Sequence, residues 1–351
     1  MSKKIPVGVL GATGAVGQKF VKLLENHPWF ELTEVAASDR SAGKKYGEAA
    51  NWRQYTPIPD PIREKMVKAC EPDLDCRVVF SGLDSSVAGE VEENFARAGY
   101  IVLTNARNHR TDDDVPLLVP EVNHEHLELI KVQRRNRGWS GAIVTNPNCS
   151  VAGLVMPLAP LDRSLGVKRL VVVTLQALSG AGYPGPSAID MIGNVLPYIG
   201  GGEEEKVETE PLKILGKLEG QSITPAAFKI SAHTNRVDVE DGHMACVSVE
   251  LNKKASPEEV ARVIGGFTSL PQELRLPTAP ERPVIVTTER DRPQPRFDRD
   301  AGSGMSAVVG RIRPCPVFDI RFVVLSHNTV RGAAGAAILN AELMKATGYL
   351  D

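Results

Sequence analysis

The residue with the strongest chemical signature in this sequence is Cys149. It follows an apolar β-branched run at 142–145 and an Asn-Pro turn, and it precedes an apolar stretch at 151–158. This pattern predicts a strand, a tight elbow and a helix, with the cysteine near the first helical turn. The unpaired N–H groups and the dipole at a helix N-terminus favour a thiolate, the form that makes acyl-thioesters. The alternative is a buried structural cysteine.

The second feature is a glycine-rich turn near the start of the chain. A buried-type strand at 5–10 precedes it, and a segment with helical periodicity at 18–24 follows it. This order is typical of a dinucleotide-binding corner, where the pyrophosphate lies on the helix N-terminus. The spacing is G-x-x-G-x-x-G rather than G-x-G-x-x-G, so the context carries more weight than the motif. The cofactor-binding residues predicted here are Gly11, Thr13, Gly14, Ala15, Val16 and Gly17.

Composition limits the class of protein. The 351 residues suggest two domains or one large one, and the net charge of -2 argues against a nucleic-acid partner. Five cysteines without regular spacing argue against a disulfide framework and fit a reducing compartment. No apolar stretch is long enough to cross a bilayer, and the strand beginning at Ile5 argues against a signal peptide. We expect a cytoplasmic protein that binds small molecules, without a metal site.

The order of the elements predicts an α/β fold. Short strands alternate with helical segments in the first half, which indicates a doubly wound, Rossmann-type parallel sheet. Longer runs at 170–176, 244–251 and 318–325 predict a mixed sheet in a second, α+β domain. The segment 278–304, rich in Pro and Arg, is interpreted as an extended excursion of the kind used in oligomer contacts. The last helix, 329–346, is expected to pack its small residues on the first domain.

Seven motifs, taken together, identify a family. They are GATGAVG, NARNHRTDDDVPLLVPEVN, TNPNCS, LQALSGAGYPG, GGEEEKVETEPLKIL, NRVDVEDGH and SHNTVRGAAGA. With them the chain resembles, over essentially its full length, the aspartate-β-semialdehyde dehydrogenases of the archaeal and fungal type. The resemblance implies an oxidoreductase of lysine, threonine and methionine biosynthesis. The implied reaction is reversible reductive dephosphorylation of β-aspartyl phosphate to aspartate semialdehyde through a cysteine thioester.

The resemblance also implies a domain division and an assembly. Residues 1–148 plus 327–351 would form the NADP-binding Rossmann domain, and residues 149–326 the catalytic and dimerisation domain. The expected assembly is a homodimer or a homotetramer.

Three residues are implied to be catalytic. Cys149 matches the family's nucleophile. A thiolate needs a proton partner near neutral pH, for which histidine is suited, and His243 matches the family's acid–base histidine. Gln176, at the end of its strand, matches the glutamine that positions the thioester. Taken alone, a histidine at a strand edge is more often structural.

The implied substrate carries a carboxylate and a phosphate, which forked cations bind well. Arg110 matches the family's phosphate-binding arginine and Arg236 its carboxylate-binding arginine. The loop between Arg236 and His243 must turn for both to reach one site. Asn148 is expected to donate to the acyl oxygen or to phosphate.

A Glu-x-x-Lys pair in the family is matched by Glu210 and Lys213, which would meet the substrate amine and the phosphate. Which of the nearby carboxylates contacts substrate stays open, the candidates being Glu203, Glu204, Glu205 and Glu210. Glu203 and Glu208 are interpreted as part of a solvated helix face.

The preference for NADP rests on the end of the second strand, where the adenine ribose of a Rossmann cofactor lies. Ser38, Arg40 and Ser41 suit a 2′-phosphate, whereas Asp39 suits the 2′-hydroxyl of NAD. Three side chains suit NADP and one suits NAD, which favours NADP; whether the protein uses both cofactors stays open. The remaining predicted cofactor residues are Ser81, Ser179, Gly180 and Asn328.

Two other functions are considered. A malonyl-coenzyme A reductase on the same scaffold would share the thioester and differ in the leaving group. A non-catalytic dinucleotide sensor would not need Cys149, Gln176, Arg236 and His243 together.

The other cysteines are given no catalytic role, and no partner is identified for Cys70 or Cys76. Cys70 and Cys76 lie on an exposed-looking stretch, Cys246 is expected in the core, and Cys315 is left without a role.

Overall fold

The computed structural model describes residues 3–350, which form two six-stranded sheets and a small hairpin. The strands are β1 (Ile5–Leu10), β2 (Phe30–Ala37), β3 (Lys68–Ala69), β4 (Val78–Ser81), β5 (Ile101–Thr104), β6 (Ala142–Thr145), β7 (Val167–Gln176), β8 (Lys217–Glu219), β9 (Ser222–Thr224), β10 (Lys229–Arg236), β11 (His243–Leu251), β12 (Val284–Val286), β13 (Ala307–Pro314) and β14 (Ile320–Ser326). The α-helices are α1 (Ala15–Leu23), α2 (Tyr46–Ala49), α3 (Asp60–Arg63), α4 (Ser85–Arg97), α5 (Pro120–Asn123), α6 (Leu129–Arg137), α7 (Cys149–Leu165), α8 (Ala188–Met191), α9 (Glu203–Ile214), α10 (Pro257–Gly265), α11 (Leu270–Glu273), α12 (Pro295–Asp298) and α13 (Gly335–Ala346). Two short 3₁₀ turns (His124–Glu128, Leu178–Ala181) and a π-helical turn (Val330–Ala334) complete the secondary structure.

The first sheet is parallel throughout, in the order β3-β2-β1-β4-β5-β6. Strands β4, β5 and β6 are buried along their whole length, as expected for a sheet covered on both faces. The strand order reverses between β1 and β4, and ligands of such sheets bind beyond the carboxyl ends of the strands at that point. The predicted Rossmann-type sheet is confirmed.

The second sheet is mixed, in the order β10-β7-β11-β14-β13-β12. The three long strands predicted from the sequence are neighbours in it: β11 lies antiparallel between β7 and β14. Helix α7 packs on one face of this sheet. The other face is more open, and Cys246 lies on it and is exposed, so the expectation of a core cysteine was wrong.

The C-terminal segment returns to the first sheet. The side chains of α13 join the core around β1, β4 and β5. The π-helical turn Val330–Ala334 just before it packs against α7. In this turn Arg331 is fully buried, and its Nη1 donates to Glu121 Oε2 at 2.9 Å. The domain boundaries given above stay a prediction.

Two other expectations need correction. The segment 278–304 is not simply extended, because it contains β12 at the edge of the mixed sheet and the short helix α12. Cys76 is buried and Cys70 is half-buried, since both pack beside strands of the first sheet. Between residues 3 and 350 there is no helix with the length and apolar character needed to cross a membrane.

Candidate active site

Cys149 is the first residue of α7, directly after the elbow that follows β6. The side chain of Asn148 caps the helix, since its Oδ1 accepts a hydrogen bond from Ser150 N at 2.9 Å. Gly332 of the π-helical turn lies against the cysteine: a Cβ at that position would lie 2.8 Å from the Cβ of Cys149. The predicted strand, elbow and helix are therefore present, and a segment distant in sequence fixes the cysteine backbone from the other side.

His243 lies beside Cys149, although 94 residues separate them in the chain. Its Nε2 is 3.2 Å from Cys149 Sγ, and its Nδ1 accepts a hydrogen bond from Ala177 N at 3.0 Å. The ring is buried. The structure thus brings together the predicted nucleophile and its predicted proton partner.

Burial is the main cause of the pKa shifts of both groups of this pair. Burial and the nearby carboxylate of Glu203 raise the pKa of Cys149 to about 12. Burial, followed by the charges of Arg236 and His327, lowers the pKa of His243 to about 3. Desolvation therefore acts against the helix N-terminus, and the thiolate expected there stays a prediction.

Glu203, at the start of α9, reaches two of the predicted site residues. Its Oε1 accepts from Asn148 Nδ2 at 2.7 Å and from Gln176 Nε2 at 3.1 Å. The side chain is buried, so its interpretation as part of a solvated face was wrong. A signal was present in the sequence, because Glu203, Val207 and Glu210 recur at the spacing of one helix face, and all three are buried.

Glu210 and Arg110 form a buried ion pair beside the cysteine elbow. Arg110 Nη1 donates to Glu210 Oε1 at 2.9 Å, and Asn148 N donates to Glu210 Oε2 at 2.6 Å. Glu210 is thus engaged with the protein through both oxygens. The Nε of Arg110 is buried and has no hydrogen-bond partner among the described residues, which leaves a donor for an anion.

Lys213 holds the loop that carries Arg110. Its Nζ donates to the carbonyl oxygens of Arg110, Asp112 and Val115 at 2.7–3.0 Å. An ammonium group has three N–H donors, and three carbonyls already accept from them. In this structure Lys213 therefore supports Arg110, and the contact with phosphate expected for it stays a prediction.

Arg236, at the end of β10, lies on the same side of the site as His243. Its Nη1 donates to Ala177 O at 2.9 Å. Gly180 packs against both side chains: a Cβ there would come within 3.0 Å of Arg236 Nη1 and of His243 Nε2. The turn between β10 and β11 passes through Gly242, with a φ of 104° that favours glycine, and brings Arg236 and His243 together.

The glycine turn between β1 and α1 fits the phosphates of a dinucleotide. Gly11 has a φ of 70°, and at Gly17 a Cβ would lie 2.1 Å from the Gly11 carbonyl oxygen. Side chains are therefore excluded, and the backbone is open to close approach. Helix α1 begins after Gly14, which has no side chain to cap its first N–H groups, so they remain available to a phosphate.

The other predicted cofactor residues lie near this turn or across a cavity from it. Ser38 and Arg40 are exposed, and Ser41 half-buried, just beyond the end of β2. Ser81, at the end of β4, donates to Glu92 Oε1 at 2.6 Å. A cavity of about 520 Å³ separates the start of α1 from the segment after β7, and Ala15, Lys19, Ser179 and Tyr183 are among the residues that line it.

Asn328 fixes the far wall of this cavity. Its Nδ2 donates to Ser179 Oγ at 2.8 Å, and its Oδ1 accepts from Gly242 N at 2.8 Å. Ser179 in turn donates to Asp241 Oδ1 at 2.6 Å. Ser179 and Asn328, two of the predicted cofactor residues, are thus joined in one hydrogen-bonded group.

Comparison with known proteins finds similarity along most of the chain. Residues 6–130 match the family model "Semialdehyde dehydrogenase, NAD binding domain", and residues 158–331 match "Semialdehyde dehydrogenase, dimerisation domain". Aspartate-semialdehyde dehydrogenase of Archaeoglobus fulgidus is 54% identical over 339 residues, covering 96% of this chain and 97% of the relative. That of Schizosaccharomyces pombe is 47% identical over 355 residues, covering 98% and 99%.

A solved structure of a related enzyme has the same fold as this chain. The crystal structure of aspartate semialdehyde dehydrogenase with NADP from Candida albicans superimposes with a TM-score of 0.91 at 43% sequence identity and covers 99% of each chain. The chain therefore belongs to the aspartate-semialdehyde dehydrogenase family.

Proposed function

We propose that this protein is an NADP-dependent aspartate-β-semialdehyde dehydrogenase, which catalyses the reversible reductive dephosphorylation of β-aspartyl phosphate. The observation that carries the proposal is the contact between Cys149 Sγ and His243 Nε2 at the start of α7. A cysteine on such an elbow beside a histidine is arranged for acyl transfer. The high identity to enzymes of this name supports the substrate assignment.

Different side chains around Cys149 would bind different groups of the substrate. Arg110, whose buried Nε still has a donor to offer, would bind the phosphate, and Arg236 the α-carboxylate. Glu203 and Glu210 are the buried carboxylates on the side of α9, ion-paired with Lys206 and Arg110, and we infer that one of them accepts from the α-ammonium group. The amides of Asn148 and Gln176, both bonded to Glu203, would position the acyl group.

The glycine turn and the ends of β2 and β4 would hold the cofactor. The N–H groups at the start of α1 would bind the pyrophosphate, and Arg40 with Ser38 and Ser41 the 2′-phosphate. When bound, NADP supplies the hydride that reduces the thioester to the aldehyde. Tyr55 and Tyr183 contribute to the walls of the cavity that would exclude water from the nicotinamide.

The family model of the second half of the chain supports an oligomer, and we infer a homodimer formed through the domain 149–326. The open face of the mixed sheet offers a surface for this contact. Sedimentation velocity of the purified protein would give the mass, and a monomer at micromolar concentration would contradict the inference.

One assay tests the activity. Phosphate-dependent reduction of NADP with aspartate semialdehyde is compared with the reaction of malonate semialdehyde and coenzyme A. We expect turnover in the first and little in the second, because a malonyl group has no α-ammonium group to bind the carboxylates of α9. Faster reaction with coenzyme A would assign the protein to acyl-coenzyme A reduction, and no turnover in either would leave a dinucleotide sensor.

A further inference from the structure

Asn105 and Asn146 lie one residue beyond the carboxyl ends of two neighbouring strands of the first sheet. The strands β5 and β6 are paired in parallel along their whole length, so the two asparagines are the next positions in register. The backbone of Asn146 still follows this pairing, since its N–H donates to Thr104 O at 2.8 Å. Beyond this point one segment leads to Arg110 and the other to Cys149.

The side chains of the two asparagines continue the pairing of the strands. Asn146 Nδ2 donates to Asn105 Oδ1 at 2.8 Å and to Ala333 O at 2.8 Å, and Asn146 Oδ1 accepts from Asn340 Nδ2 at 2.7 Å. A backbone carbonyl such as that of Ala333 can only accept, which fixes the orientation of the Asn146 amide. Asn146 is buried, and both of its N–H donors are used inside the protein.

Asn105 connects this amide group to the predicted phosphate-binding arginine. Its backbone carbonyl accepts from Arg110 Nη2 at 2.7 Å, and its Nδ2 donates to Ser81 O at 3.2 Å. The Nη1 of Arg110 is held by Glu210, so its Nε is the buried donor left for an anion. A displacement of Asn105 would therefore move the guanidinium group and the anion bound to it.

Asn146 also contacts the turn that supports the nucleophile. The carbonyl that accepts from its amide belongs to Ala333, which follows Gly332, the residue that lies against Cys149. Asn146 itself belongs to the elbow that leads into Cys149. One buried side chain thus joins the segment of Arg110, the cysteine elbow and the turn behind that elbow.

Phosphorolysis of the thioester requires these segments to be in register. A phosphate oxygen held by Arg110 attacks the thioester carbon, the C–O bond forms, the C–S bond breaks, and the electron pair leaves with the sulfur of Cys149. The proton released by hydrogenphosphate returns that sulfur to the thiol. Reacting atoms must lie about 3–3.5 Å apart, and an error of about 1 Å can cost about 10²-fold in rate. Acylation of Cys149 by the aldehyde, in contrast, does not use phosphate.

We propose that Asn146 is a positioning residue, which through Asn105 keeps the bound phosphate in register with the thioester carbon. This rests on the proposed function and deepens it. Glu210 joins Arg110 to the cysteine elbow from the side of α9, so Asn146 is the link on the side of the first sheet. Because one of the two links remains, its loss should displace the phosphate without unfolding the site.

Rapid kinetics separate the two steps of the reaction. In the absence of phosphate, aspartate semialdehyde with NADP should acylate Cys149 and give a burst of NADPH, whereas added phosphate permits turnover. Asn105→Ala removes the bond to Asn146 and keeps the backbone carbonyl that accepts from Arg110. We expect its burst to keep its amplitude, and its rate within about twofold. Its KM for phosphate should rise, and its kcat should fall by about tenfold to a hundredfold.

Asn340→Ala is the matched control, since it removes the partner of Asn146 Oδ1 and leaves both Nδ2 bonds in place. We expect a lower unfolding temperature, with burst rate and kcat both within about twofold of the unmodified enzyme. A burst rate that falls in step with kcat in Asn105→Ala would overturn the proposal, because the amide would then support the thiol alone. Unchanged kinetics in that variant, or an equal loss in the control, would also overturn it.

A double-mutant cycle tests the link without catalysis. If Asn105 and Asn146 act as one unit, Asn105→Ala combined with Asn146→Ala should lose less free energy of unfolding in urea than the sum of the two single losses. Additive losses would overturn the proposal. Failure of the proposed function is distinguishable, because the unmodified protein would then form no NADPH with aspartate semialdehyde and phosphate, while the unfolding cycle could still be read.

Discussion

Glu203 and Glu210 hold the same residue, Asn148, by different groups. Glu203 Oε1 accepts from its side-chain amide at 2.7 Å, and Glu210 Oε2 accepts from its backbone N–H at 2.6 Å. Both carboxylates lie on one face of α9, and Asn148 immediately precedes the nucleophile. The orientation of the cysteine elbow is therefore set by a helix 55 residues or more further along the chain.

Replacing Glu203 by glutamine is expected to raise the reactivity of the Cys149 thiol while lowering the turnover of the enzyme. The negative charge of Glu203 contributes to the raised pKa of Cys149, so Glu203→Gln should lower that pKa and speed alkylation of the thiol by iodoacetamide at pH 8. Turnover with aspartate semialdehyde should fall by about tenfold or more, because hydrogen bonds to a charged group are worth about 1.5–3 kcal/mol. Glu205→Gln, exposed on the same helix, is the control. Slower alkylation in Glu203→Gln would contradict the charge assignment.

The assignment of Cys149 as the nucleophile predicts that its replacement removes turnover but not cofactor binding. Cys149→Ser should lose about a thousandfold or more in kcat, as expected when a covalent nucleophile is removed, yet bind NADP with unchanged affinity by fluorescence titration. Cys246→Ser is the matched control, since that cysteine is exposed on the open face of the mixed sheet. Retained turnover in the purified Cys149→Ser protein would remove the thioester from the mechanism.

Cofactor preference is expected to depend on Arg40. Removing an arginine contact to the 2′-phosphate costs about 1.5–3 kcal/mol, so Arg40→Ala should lower kcat/KM for NADP by about tenfold to a hundredfold and leave the value for NAD nearly unchanged. Arg97→Ala, exposed on α4, serves as the control for a lost positive charge. Equal kcat/KM for the two cofactors in the unmodified enzyme would mean that Asp39 governs the ribose contact.

The loop that carries Arg110 should weaken in acid. Hydrogen bonds from His109, then from Arg137, lower the pKa of Asp112 to about 2. Because the folded pKa is below the ordinary value of 3.8, the charged carboxylate stabilises the fold; this contribution is complete above about pH 4 and is lost as the pH falls towards 2. The difference in free energy of unfolding between Asp112→Asn and the unmodified protein should therefore shrink across that interval.

Urea unfolding at a series of pH values measures this difference. The neighbouring Asp113→Asn, on an exposed residue, should differ little from the unmodified protein at any pH. A constant difference for Asp112→Asn down to pH 2 would show that the carboxylate charge is not what stabilises the loop.

Local signals explain which parts of the site could be predicted. The elbow at Cys149 is predicted from adjacent residues alone. An apolar run, an Asn-Pro turn and a second apolar run indicate a strand, a turn and a helix, and no distant contact is needed to identify them. The same holds for the glycine turn before α1. The positions of His243 and Arg236 in the site came from the family resemblance, because nothing local joins them to Cys149.

The residues whose burial was wrongly predicted show what local sequence patterns do not determine. A run of charges such as Glu203–Lys206 has the composition of a solvated face, and only packing against Asn148 and Gln176 shows that its first member is buried. The alternation of residues along β11 correctly indicates that the strand has two faces. However, Met244 and Cys246 on one face are as apolar as Ala245 and Val247 on the other face, so the sequence does not show which face is buried. Which face is buried is decided by α7, which lies elsewhere in the chain.

The approach of Gly332 to Cys149 has a consequence for how this protein is made. The nucleophile is synthesised 183 residues before Gly332, so the turn that fixes its backbone is added long after it. A nascent chain therefore carries an unfinished site, in which Cys149 lacks its glycine neighbour. Enzymatic activity should appear only after the π-helical turn has been added and has folded against Cys149, so premature termination anywhere before that turn yields protein with a thiol but no catalyst.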